Sequence, residues 1–203
     1  MSRLLVATRN RGKLAELRRL LEGLPVEFVL PHEAGVGDLV VEETGQTFAE
    51  NARLKAVAHA RASGLMSLAD DSGLEVDALG GRPGVRSARF ARVGATDAEN
   101  NAALVAELRA RAATPPIRAR FRCALVVATP RGETRTVEGA CEGSIALEPR
   151  GSEGFGYDPH FVVEGGWRTM AELSHDEKNV ISHRGRAYAA LRPVLEELLA
   201  RGA

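Results

Sequence analysis

The chain has 203 residues, of which 44% are hydrophobic and 27% charged, with acidic and basic side chains in equal number. That is enough apolar material for a core and too much for a disordered chain. A formal net charge of zero argues against a general nucleic-acid binder, which needs excess cations to neutralise phosphates, and no apolar run approaches the roughly 20 residues of a membrane span. Cys123 and Cys141 lack the spacing of a zinc site or a disulfide framework. No signal-like segment precedes the first strand-like run, so a cytoplasmic protein is expected. The basic residues are uneven in kind: of 27 Lys and Arg, only Lys13, Lys55 and Lys178 are lysine. Where arginine supplies generic charge, a lysine marks a place suited to a compact ammonium.

In chain order, residues 3–8 read as a buried strand. Arg9-Asn10-Arg11-Gly12-Lys13 follows, and then a helix with Leu14, Leu17, Leu20, Leu21 and Leu24 on one face. Strand, Gly-Lys loop and helix is the layout of a phosphate site, where backbone N–H groups at a helix start meet an anion. It is neither a Walker A loop nor a dinucleotide fingerprint, because the glycines those motifs need are absent. A second strand spans 26–30, and a loop with Glu42 and Glu43 runs over 31–46. Thr47-Phe48-Ala49-Glu50 is a capping box opening a helix that carries Lys55 and ends near Ser63, with Gly64 as its C-terminal cap.

The apolar run 65–69 drives into Asp70, Asp71, Ser72 and Gly73. A strand ending in buried acids needs a cation, either a metal or a basic side chain; otherwise the acids form a solvated turn. Alternation along a strand sends Asp70 and Asp71 to opposite faces, so only one of them faces a given site. Thr96-Asp97-Ala98-Glu99 opens another helix, to about 112, stopped by Pro115-Pro116. Residues 118–129 and 134–147 are strand-like around Pro130-Arg131-Gly132-Glu133, so a long hairpin is expected. Gly139-Ala140-Cys141-Glu142-Gly143 mimics a nucleophile elbow, but that motif needs a strand-to-helix turn and here the strand continues. The loop 149–159 holds Phe155, Gly156, Tyr157 and Asp158. Its two rings either stack on a flat ligand such as a nucleobase or fold back onto the core. A short strand at 160–163, a helical segment at 171–180 containing Lys178, the polar cluster Ser182-His183-Arg184, and a helix over 185–199 complete the chain.

Seven stretches in this order resemble one family, the inosine/xanthosine triphosphate pyrophosphatases. They are Ala7 to Lys13, Glu42 to Phe48, Asn51 to Lys55, Ala69 to Leu74, Gly80 to Gly84, Gly154 to Pro159 and Ser182 to Gly185. Arg9 departs from the glycine that many members carry there.

The resemblance implies one α/β domain over 1–203: a long central mixed sheet flanked by helices, in two lobes with an active-site cleft between them. It implies a Mg²⁺-dependent homodimer that cleaves ITP, dITP and XTP between the α- and β-phosphates, with no nucleic-acid or membrane partner. By position, Thr8, Arg9, Asn10, Arg11, Gly12 and Lys13 match the phosphate loop, with Lys55 assisting. Glu42 and Asp71 match the metal carboxylates, and Asp71 also matches the group that activates water. Ser72 matches a substrate contact, and Phe155, Gly156, Tyr157, Asp158, Lys178, His183 and Arg184 match the base site. A different expectation, a non-catalytic nucleotide sensor, would need Lys13 and Phe155 but not a poised Asp71. A pyrophosphatase for another modified nucleotide is a third.

Overall fold

The computed structural model describes residues 2–201. Among the described residues six strands and five α-helices follow one another: β1 (Ser2–Val6), α1 (Arg11–Leu20), β2 (Val26–Val29), α2 (Phe48–Ser63), β3 (Met66–Val76), α3 (Asp97–Ala110), β4 (Ile117–Ala128), β5 (Thr134–Ile145), β6 (Phe161–Val163), α4 (His175–Ile181) and α5 (His183–Ala200). The strands form one sheet in the order β2-β1-β3-β4-β5-β6. β1 runs parallel to β2 and β3, whereas β5 and β6 are antiparallel. The sheet is therefore mixed and flanked by helices, the expected α/β class. β4 and β5 are neighbours, and residues 129–133 between them are too few for a crossover, which leaves the hairpin arrangement.

Local chemistry sets the helix boundaries. The Thr47 side chain accepts the Glu50 N–H while Glu50 reaches back to the Thr47 N–H, and Gly64 closes α2 in a left-handed conformation. Thr96 and Glu99 repeat the device at α3, and Ser174 and Glu177 at α4. Glu99 and Glu177 are pulled down to about 2, Glu99 chiefly by the Thr96 backbone N–H and Glu177 chiefly by Arg168, so both boxes keep their charge through acid conditions that neutralise ordinary carboxylates.

The chain divides into two compact units. One holds residues 2–71, 123–139 and 185–201; the other holds 72–122 and 140–184. In the first, Leu4, Val6, Leu17, Leu68, Leu125 and Tyr188 share a core. In the second, Leu74, Val76, Leu104, Phe121, Tyr157 and Phe161 do. Among the described residues no helix is long and apolar enough to cross a membrane.

Two expectations need correction. β3 does not end at the acids: it runs through Asp70 and Asp71 to Val76 with both carboxylates buried. The strand survives because each acid meets an ammonium, as described below. The last helix starts at His183 rather than Gly185, so His183 and Arg184 lie within its first turn.

Candidate active site

Two groups of side chains stand out, one in each unit. In the first unit, Asn10 caps α1, its side chain accepting the Lys13 N–H at 3.0 Å, and the Thr8 hydroxyl accepts the Asn10 N–H at 3.2 Å. The predicted phosphate loop therefore does open a helix. Its arginines behave differently from its lysine. Arg9 turns away and donates to the Gly37 carbonyl at 2.7 Å, and Arg11 is exposed. Lys13 turns inward and meets Asp70 Oδ1 at 2.5 Å.

Lys55 extends from α2 to the same strand, where it meets Asp71 Oδ1 at 2.9 Å and Glu43 at 3.0 Å. Both ammoniums also donate to one backbone oxygen, the Asp70 carbonyl, at 3.3 and 3.1 Å. Alternation does separate the two carboxylates, each to its own lysine, and the main-chain oxygen between them draws the lysines together. Cys123 Sγ lies 3.6 Å from the second Asp70 oxygen.

The acidic loop turns its two glutamates in different directions. Glu42 is exposed and has no ion-pair partner among the described residues, whereas Glu43 reaches Lys55. In an irregular loop no period decides which of two adjacent acids turns inward.

Burial sets the electrostatics. Removal from water pushes the Asp71 carboxyl above the ordinary carboxylate range; Lys55 and Lys13 pull it down but do not cancel the effect, and Glu43 adds to the rise. Burial alone would lower the Lys55 ammonium, but Asp71 and Glu43 outweigh it and hold its pKa above normal. Asp71 Oδ2 is buried with no hydrogen-bond partner among the described residues, and such an oxygen is costly unless something binds it. Among the described residues no three His, Cys, Asp or Glu side chains converge to hold an ion alone. A buried carboxylate oxygen and a neighbouring glutamate suit Mg²⁺, which takes one or two carboxylates and completes its shell with phosphate and water.

In the second unit, Lys178 and Asp158 form a buried pair at 2.7 Å. The same Asp158 oxygen accepts the Phe155 N–H at 2.9 Å. Gly154 makes this turn possible. Its φ is +80°, and a Cβ there would strike the Asp158 carboxylate. Lys178 Nζ and Arg184 Cζ lie 5.1 and 4.9 Å from the Phe155 ring centroid, within cation–π range. Arg184 also donates to the Ser72 hydroxyl at 2.7 Å. His183 stacks on Phe121 with centroids 4.7 Å apart.

The two aromatics of the loop divide the alternatives left open by sequence. Phe155 is half-buried among cations, while Tyr157 folds into the core and donates its hydroxyl to the Ser87 carbonyl at 2.8 Å. Gly156 is held by Asp97, which accepts its N–H at 2.7 Å, and by Asn101, which donates to its carbonyl at 2.9 Å. Sequence reading missed these two supports. Asp97 stood inside a recognised capping box, but nothing local tied it to a loop 59 residues away.

The sequence model of the Ham1 family matches residues 4–194. A dITP/XTP pyrophosphatase of Streptomyces coelicolor is 50% identical over 98% of this chain and 100% of that protein. The Bacillus subtilis protein of the same name is 49% identical over 97% and 98%. Among solved structures, a HAM1 protein from Coxiella burnetii superposes with a TM-score of 0.88 at 44% identity, covering 97% of this chain and all of that one. A nucleoside-triphosphatase described as a dITP/XTP pyrophosphatase from Mycobacterium abscessus gives 0.75 at 49% identity, covering 94% and 99%. With a match over nearly its whole length and half its residues shared with curated relatives, the chain belongs to the Ham1 family.

Proposed function

We propose that the protein hydrolyses the non-canonical purine triphosphates ITP, dITP and XTP to the monophosphate and pyrophosphate. The observation that carries this reading is the cluster on β3: two ammoniums beside a buried carboxylate whose pKa is raised. A nucleotide sensor needs the cations but has no use for a base held ready to accept a proton. The names of relatives sharing half the sequence support the same substrate class.

In this reading Lys13, Lys55 and the N–H groups at the start of α1 hold the polyphosphate. Asp71 orients a water and takes its proton as the water oxygen bonds to the α-phosphorus. The bond to the bridging oxygen breaks, and pyrophosphate leaves with its charge met by the lysines. Asp71 and Glu42, with Glu43 held by Lys55 on the same loop, are the residues that would hold Mg²⁺, which supplies Lewis-acid neutralisation of phosphate charge when bound. A homodimer, which rests on the resemblance, and a cytoplasmic location, expected from the sequence, belong to the same proposal.

The direct test is pyrophosphate release from ITP, XTP, GTP and ATP, each with and without Mg²⁺. Preference for ITP and XTP with metal is expected; equal turnover of all four sinks the substrate assignment, and nucleotide binding without release favours the sensor. Lys13→Ala should lower activity on every triphosphate by a similar factor, because the tail is common to all. A large change in the ITP-to-GTP ratio would move Lys13 out of the phosphate role.

The second unit's set suits the base. Hypoxanthine and xanthine present a 6-oxo acceptor where adenine has an amino donor, and Lys178 and Arg184 only donate. Arg184→Ala should reduce kcat/KM for ITP, XTP and GTP together and narrow the gap to ATP. If the variant keeps the full preference over ATP, Lys178 becomes the residue to test.

A further inference from the structure

The stretch Asn51 to Lys55 enters the reading above only through its lysine. Asn51 is nevertheless wholly buried on α2, one turn before Lys55 and on the same helix face. Its Oδ1 accepts the Gly45 N–H at 2.8 Å, which fixes the orientation of the amide, since a backbone donor requires the oxygen. Its Nδ2 is buried with no partner among the described residues. An apolar side chain would fill the space without burying an unpartnered Nδ2 but would take the acceptor from the Gly45 N–H, so the bond to Gly45 is the reason for a polar residue here.

That bond is one of three. Glu50, the preceding residue, accepts the next two backbone N–H groups, Gln46 at 2.7 Å and Thr47 at 3.1 Å. Gly45 is pressed so closely onto the helix that a Cβ would lie 2.6 Å from Glu50 Cβ and 2.7 Å from Asn51 Oδ1. The end of the acidic loop is thus clasped by the first turn of the helix that carries Lys55, and Glu43 at the other end of this short segment meets Lys55 at 3.0 Å.

We propose that Asn51 is a positioning residue: by holding Gly45 it sets Glu43 of the acidic loop against the Lys55–Asp71 pair. The inference deepens the proposed function and rests on it for its kinetic consequence, while the clasp itself stands independently.

The test combines amide hydrogen exchange with steady-state kinetics on ITP. Asn51→Ala should speed exchange at the Gly45 amide at least tenfold and lower kcat about tenfold or more, with KM moved less than threefold. Asn51→Asp keeps the acceptor oxygen and should recover both the protection and most of kcat. Gly45→Ala leaves the helix side chains in place, displaces the loop, and should reproduce the kcat loss if Asn51→Ala folds poorly. Loss of Gly45 protection with kcat unchanged overturns the proposal. So does an Asn51→Asp variant that regains protection without regaining turnover. Wild-type protein that protects Gly45 but releases no pyrophosphate would instead remove the proposed function, and with it the kinetic role of Asn51.

Discussion

Asp71→Asn is expected to lower kcat for ITP by about 10²-fold or more while nucleotide affinity changes little. The amide keeps the shape and can still lie beside Lys55, but it has no negative charge and accepts no proton. Asp70→Asn should be milder, because Asp70 serves as counterion to Lys13 at 2.5 Å rather than as the base. Direct nucleotide titration beside steady-state rates separates the two. An Asp71→Asn enzyme within a few-fold of wild type would remove Asp71 from its role, and equal losses at both positions would mean that the division of labour between the two faces of β3 is wrong.

Asp158→Ala is expected to be the most destabilising single change in the second unit. It removes the carboxylate that faces the buried Lys178 ammonium at 2.7 Å and takes away the acceptor of the Phe155 N–H. Breaking a buried pair by deleting one partner costs about 3 to 5 kcal/mol, which for a chain of this size lowers the melting temperature by roughly 6 °C or more. Asp158→Asn retains an oxygen for the Phe155 N–H and should lose less. Thermal unfolding of the two variants checks the order; an Asp158→Ala protein that melts with the wild type would show that the pair holds little of this unit together.

Much of the frame was legible in the sequence, because capping residues and turn chemistry act locally. Thr47 and Glu50 announce the start of α2, Gly64 its end, and Pro130 to Glu133 the turn between β4 and β5. Features that depend on distant partners were not legible. Two adjacent aspartates read as the end of a strand, since nothing near them in sequence supplies the lysines from α1 and α2 that let β3 continue. Glu42 and Glu43 are equivalent in composition, and only the clasp at Gly45 selects the one that meets Lys55. Tyr157 and Phe155 looked alike as candidate stacking rings until Ser87, 70 residues away, took the Tyr157 hydroxyl. The site residues themselves came from the resemblance; the geometry adds which side chains meet and which, like Arg9, turn aside.

The shared Asp70 carbonyl has a consequence for ionic competition. Lys13 meets an Asp70 carboxylate oxygen at 2.5 Å and the Asp70 carbonyl, and Lys55 meets Asp71 at 2.9 Å, Glu43 at 3.0 Å and the same carbonyl. Under the proposed function an arriving polyphosphate exchanges ligands on two ammoniums that already have anionic partners, and does not settle on bare positive charge.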